Sequence, residues 1–163
     1  MIKWVRLDER MIHGQVATKW SQLLGVNRII VADDQAVSNE IIKKSLLMAA
    51  PANCKTAIVS VEKAIALCND PRAEALSILL IVSTPENLLT VAEKCKGIPQ
   101  INIGNYGRIA PKHGEKVRKT YTKNLYAYDD EIETLKKVMK TGIPCNVQTI
   151  PDDIAQELSK VIG

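Results

Sequence analysis

Short aliphatic runs, each followed by a stretch with helical spacing, constrain the fold of this chain more than any other feature. Residues 26–32 place Ile29, Ile30 and Val31 in succession, and Ile78–Val82 is an uninterrupted run of five apolar residues. A strand with one wet face alternates apolar and polar residues, whereas an unbroken run is the pattern of a strand covered on both faces. Residues 2–5, 54–60 and 100–103 supply further strands. Between them come helical stretches. Gly14–Leu24 sets Val16, Ala17, Trp20, Leu23 and Leu24 on one face, with Gly25 as the stop. Asp33-Asp34 caps a helix whose face is Ile41, Ile42, Ser45, Leu46 and Ala49, halted by Pro51. Ser60 or Val61 opens another through Cys68, and Ser83-Thr84-Pro85-Glu86 is an N-cap followed by proline at the first helical position.

Strands alternating with helices imply βα units and a largely parallel sheet. At 163 residues and 18.0 kDa the chain fits one domain, 1–163. Its second half continues the theme less regularly. Residues 116–122 and 125–128 are expected as short strands. Asp129-Asp130-Glu131 then starts a helix that Lys136, Lys137 and Lys140 finish, an order that complements the helix dipole. A last strand is expected over 143–150 and a terminal helix from Pro151-Asp152-Asp153 through Ile162.

Composition narrows the function. Phenylalanine is absent and aromatics total 4%, so the core is aliphatic. The net charge of +4 is spread along the chain and is too weak to argue for nucleic acid. No stretch has the length and apolarity of a signal peptide or a membrane span. Cys54, Cys68, Cys95 and Cys145 stand far apart with no C-x-x-C, which points to packed, reduced thiols in a cytoplasmic protein. No metal-ligand cluster and no G-x-x-x-x-G-K-[ST] motif is present.

One turn departs from this plain picture. Between the first strand and the first helix stands Arg6-Leu7-Asp8-Glu9-Arg10-Met11-Ile12-His13-Gly14-Gln15-Val16. A turn that merely reverses the chain has no use for two guanidinium groups. In open α/β sheets such loops, outside the carboxyl end of a strand, build the site. An imidazole titrates near pH ~6.5 and can form covalent intermediates. At a helix start, the amides of Gly14, Gln15 and Val16 lack intrahelical acceptors and favour an anion beside the ring. Arg6 and Arg10 can add forked hydrogen bonds to phosphate oxygens, and Asp8 can hold the ring nitrogen that does not react or orient Arg10. His13, Arg10 and Asp8 are therefore the candidate catalytic residues. Arg6, Arg10, Gly14 and Gln15 are the candidate phosphate ligands. Thr84, Asn105 and Lys112 are candidates for the rim, since loops of neighbouring strands converge on one crevice. Residues 108–123 hold six Lys or Arg and His113 against the single acid Glu115, a candidate rim for an acidic partner. A Rossmann-like nucleotide- or phosphate-binding regulatory domain is the alternative; no G-x-G-x-x-G follows the first strand to support it.

The same stretch, followed by Trp20, resembles the R-[IV]-D-[DE]-R-[LM]-I-H-G-Q-V…W signature of the IIB subunits of the mannose/fructose/sorbose family of the bacterial phosphotransferase system. The likeness continues through residues 30–34, 101–105 and 147–151; it departs at Asn105-Tyr106-Gly107, where relatives often have Gly-Met-His or Asn-Met-His. The resemblance implies a three-layer α/β/α fold around a mainly parallel sheet of about six or seven strands. It implies that His13 accepts a phosphoryl group, on Nδ1, from phosphohistidine of a IIA protein or domain. His13 then passes the group to a sugar held by the membrane subunits IIC and IID, with Asp8 and Arg10 flanking the phosphohistidine. No cofactor or metal is implied beyond the covalent intermediate.

Overall fold

The structure is a computed structural model that describes every residue from Met1 to Gly163. Its seven-stranded sheet runs β3 (Lys55–Val59), β2 (Arg28–Ala32), β4 (Ile78–Val82), β1 (Ile2–Asp8), β5 (Ile101–Asn105), β8 (Cys145–Val147), β9 (Gln156–Glu157). All neighbours are parallel except the short edge strand β9. From β1 the chain moves outward to β2 and β3, then returns to β4 and passes beyond β1 to β5 and β8. Right-handed crossovers in opposite directions put helices on opposite faces.

The two cores record this division. On one face α1 (Gly14–Leu24), α2 (Asp34–Ser38) and α3 (Glu40–Ala49) bring Ala17, Trp20, Ala36 and Leu46 onto Ile29, Val31, Ile58, Leu79 and Ile81. On the other, α4 (Val61–Asn69), α5 (Pro85–Lys94) and α6 (Asp129–Met139) bring Ala64, Leu88, Val91, Leu135 and Val138 onto Leu7, Ile30, Leu80, Ile101 and Ile103. Ile78–Val82 thus serves both cores alternately, and its five residues are all buried. That is the physical reason for an unbroken apolar run. The layers are α/β/α.

Several expectations change in detail. Strand β1 does not stop at Val5 but continues to Asp8, so Arg6 and Asp8 are strand residues pointing to the same face. The helix expected after Asp33 is two helices, because the Asn39 side chain accepts from the amides of Ile41 and Ile42 and restarts the chain. Only Leu46 of α3 is buried, while Ile41 and Met48 are 79% and 86% exposed. The last strand covers Cys145–Val147 alone, and the terminal helix is the short α7 (Leu158–Ile162), preceded by β9. Asp70 caps a 3-10 segment, Pro71–Ala75.

Between β5 and α6 lies a two-stranded hairpin, β6 (Lys119–Thr122) with β7 (Leu125–Ala127). The irregular residues before it are held by one buried ion pair. Arg118 Nε donates to Glu131 at 2.9 Å, with both side chains nearly covered, and its other nitrogens reach the carbonyls of Ala110 and Pro111. Glu131 also accepts from the Tyr106 hydroxyl and the Tyr128 amide. Burial alone would raise the Glu131 carboxyl, but these donors outweigh it and hold it below the usual carboxylate range. A depressed carboxyl contributes stability above its unfolded value, near pH ~4.3, and loses it as pH falls through the folded value. Glu131→Gln should therefore cost about 3 kcal/mol at neutral pH. Urea melts of the two proteins should converge as pH drops below about 4.

Candidate functional site

Strand β1 lies between β4 and β5, with the chain leaving β1 toward one side of the sheet and leaving β5 toward the other. The carboxyl ends of β1 and β5 therefore form a switch point, where open α/β sheets place their crevices. Asp8, the last residue of β1, is wholly buried. One of its oxygens, Oδ2, is shared by Arg6 Nη2 and His13 Nε2, each at 3.0 Å, while Oδ1 accepts from the Arg10 amide at 3.0 Å. Its carbonyl accepts from the Met11 amide. Met11 (φ 62°) and Gly14 (φ 51°) take left-handed conformations and turn the chain from strand to helix between them. Gly14 is the residue type that does this without strain.

His13 is the N-cap of α1, in extended conformation, and its side chain does not bond the helix amides. The first turn of α1 contains no acidic residue either. The helix amides and dipole are consequently available to an anion beside the ring. A quarter of the His13 side chain is exposed. Because a carboxylate only accepts, the ring proton belongs on Nε2, which leaves Nδ1 with a free lone pair. Arg10 is exposed, and its guanidinium makes no hydrogen bond or ion pair. Gln15 is exposed as well.

Arg6 is a correction to the expected phosphate ligands. Its side chain is 2% exposed and runs under the crest, donating to Asn102, Asp8 and the carbonyls of Gln148 and Thr149. It also lies 5.3 Å from the Trp20 ring, whose Nε1 donates to the Thr149 carbonyl. Burial pulls the guanidinium below its ordinary value and Asp8 draws it back up; an arginine stays charged under such a shift. A Cβ on Gly104 would stand 2.2 Å from Arg6 Cζ, so this β5 position has to be glycine for Arg6 to cross. The residues after β8 leave the sheet because their carbonyls face Arg6 and Trp20 rather than a neighbouring strand.

Glu9 plays a part that its sequence position gave no sign of. It is 8% exposed, and its carboxylate accepts from the amides of Gly107, Arg108, Ile109 and Ala110 at 3.0–3.3 Å. The Glu9 amide in turn donates to the Asn105 carbonyl. The start of the basic segment is thereby fastened directly to the His13 turn. Asn105 sits buried at this junction. Thr84 caps α5 through the Asn87 amide, and Lys112 is exposed two residues beyond the Ala110 amide that Glu9 holds. His113 stacks on Tyr128 at 4.4 Å and is not brought to the His13 turn by any contact. Ser83 donates to Asp33, which caps α2.

With this geometry in place, comparison with known proteins is informative. The family profile described as PTS system sorbose subfamily IIB component matches residues 2–163. The chain belongs to that family. It is 32% identical over its full length to the whole of a probable phosphotransferase enzyme IIB component of Streptococcus pyogenes. It is 31% identical over its full length to 49% of the mannose-specific EIIAB component of Escherichia coli. The crystal structure of the IIBSor domain of the sorbose permease from Klebsiella pneumoniae superposes with a TM-score of 0.89 at 27% identity, covering 99% of this chain and 96% of that one. The chain is thus a IIB-type phosphotransferase component that works in phosphoryl transfer during sugar uptake. None of its helices is long and apolar enough to cross a membrane.

The packing beneath the IIB crest makes a sharp prediction. Gly104→Ala should expel Arg6 and leave Asp8 buried without its cation, at a cost of about 3–5 kcal/mol in denaturant unfolding. A variant that melts like the parent would show that Arg6 does not depend on this crossing.

Proposed function

We propose that His13 is the phosphoryl carrier of this IIB component and that Nδ1 is the reacting atom. The supporting observation is the Asp8–Nε2 contact at 3.0 Å, which aims the opposite nitrogen outward with its lone pair free. In the first step Nδ1 attacks the phosphorus of a phosphohistidine on the IIA partner. The N–P bond to His13 forms as the donor's N–P bond breaks, and the donor leaves as a neutral imidazole. In the second step a sugar hydroxyl attacks the same phosphorus, the His13 N–P bond breaks, and the hydroxyl proton is released as the sugar phosphate forms. The phosphoryl group travels covalently, so the reading calls for no other cofactor.

Each neighbour has a role in this relay. Asp8 keeps the Nε2 proton and stabilises the positive ring that phosphorylation at Nδ1 creates. The free guanidinium of Arg10 and the first-turn amides at Gly14 and Gln15 bind the phosphoryl oxygens as charge builds in the transition state. The donor is a IIA protein or domain, a reading supported by the fusion of a IIB-like half into a mannose-specific EIIAB component. The acceptor is a sugar presented by IIC and IID, which places the chain peripherally at the cytoplasmic side of the membrane. Docking is transient, with the exposed cations of residues 108–123 opposite acidic partner surface.

Incubation with the general phosphotransferase proteins and labelled phosphoenolpyruvate tests the assignment. The parent should acquire acid-labile, base-stable label, and His13→Ala should acquire none while unfolding as a single cooperative unit. Arg10→Ala should slow labelling by about 10²–10³-fold without loss of stability. Label retained in His13→Ala sinks the reading.

A further inference from the structure

The sheet face over the first halves of β2 and β3, remote from the His13 crest, is incompletely covered. Helix α4 ends at Asn69, and the chain turns through Pro71–Ala75 before entering β4. What remains is a cavity of about 450 Å³, floored by Ile30, Ala57 and Ile78 and walled by Leu67, Ala73 and Leu76. It exists because the edge strand offers only a methyl group at Ala57, while Ile30, its register partner, has the depth of a full side chain. That volume and mainly apolar lining are those of small-molecule pockets.

Charged side chains border the same cavity. Arg28 and Lys55 are register partners on adjacent parallel strands. They fall on the same face as Ile30 and Ala57, two residues further along. Two cations side by side in a sheet repel each other. Neither makes an ion pair. The one lining carboxylate, Asp70, is taken by Arg72, which donates through Nε at 3.1 Å, Nη2 at 2.8 Å and its amide at 2.9 Å. An apolar cavity bordered by two uncompensated cations matches a molecule with a greasy body and an acidic head.

We propose that this cavity binds a small amphipathic organic anion. Its hydrocarbon part lies on Ile30, Ala57 and Leu76, and its acidic group lies between Arg28 and Lys55. The site stands at the amino ends of β2 and β3, whereas their carboxyl ends at Ala32 and Val59 face the crest, so it is separate from the phosphoryl relay.

Fluorescence titration with anilinonaphthalene sulfonate, followed by displacement with octanoate or neutral 1-octanol, tests the proposal on the intact chain. One probe should bind per chain, and octanoate should displace it at about tenfold lower concentration than octanol, the difference one charge-assisted contact makes. Lys55→Gln and Arg28→Gln should each weaken the probe by about tenfold and flatten its salt dependence. Ala57→Phe should fill the cavity and abolish binding while leaving His13 labelling intact. If Ala57→Phe fails to fold, amide shifts of the parent on adding octanoate, confined to residues 28–30, 55–57 and 67–78, carry the same information. Non-saturating binding, equal displacement by octanol, or unchanged binding in the two charge variants would overturn the proposal.

Discussion

The carboxylate of Asp8 is the interaction on which the rest of this structure depends. It is fully buried, and within hydrogen-bonding distance it meets a guanidinium, an imidazole and a backbone amide. A buried carboxylate is costly unless charge and hydrogen bonds offset its lost hydration. Arg6 supplies the charge, but a buried guanidinium has the same need. The chain meets it with Asn102 and the carbonyls of Gln148 and Thr149. One anion at the end of β1 thereby fixes the identity of residue 104, the departure of the chain after β8 and the position of Trp20. These are parts of one hydrogen-bonded network rather than separate contacts.

The regular parts of this architecture were legible because each rests on a local rule. Ile78–Val82 packs on two faces, Gly25 adopts a left-handed C-cap (φ 65°) and Thr84 caps α5 ahead of Pro85; each of these local preferences agrees with the tertiary fold. What escaped is what depends on residues distant in sequence. Arg6 looks like a loop cation until Gly104 and the carbonyls of residues 148 and 149 are known to lie opposite, nearly a hundred residues or more away. Its position two before Asp8, inside an alternating strand, was the available signal. Glu9 is similar: a glutamate in a turn is unremarkable, and its partners are amides, which leave no trace in side-chain identity. The split after Asp33 was visible in Asn39, a strong capping residue with Glu40 in the first turn behind it.

Glu9 and Asp8 illustrate how two adjacent acids can be given opposite tasks by strand geometry. Consecutive residues at a strand end project to opposite faces. Asp8 turns toward Arg6 and His13, while Glu9 turns toward the start of the basic segment and gathers four amides. Four amides converging on one point form a concave anion site of the kind that binds phosphate in other folds. Here the protein's own carboxylate occupies it. The consequence is that the 107–110 turn is held to the same strand end as the histidine, so a partner meeting both meets a fixed surface.

On the proposed relay, the charge balance gives a buried arginine beneath His13 a purpose. A phosphoryl group brings about 1.5 to 2 negative charges at neutral pH. Placed beside an uncompensated Asp8, it would face strong repulsion across a poorly screened interior. Arg6 neutralises Asp8 from below, so the carboxylate can orient the ring without opposing the phosphoryl group that the proposed relay brings to it. Arg10, which no protein acid engages, is the cation the proposed relay leaves for the phosphoryl oxygens on the solvent side. The two arginines of the motif are therefore not duplicates. One is committed to the fold and the other is left free, and in the proposed relay exchanging their environments would keep the site's composition but remove its means of holding a phosphoryl group.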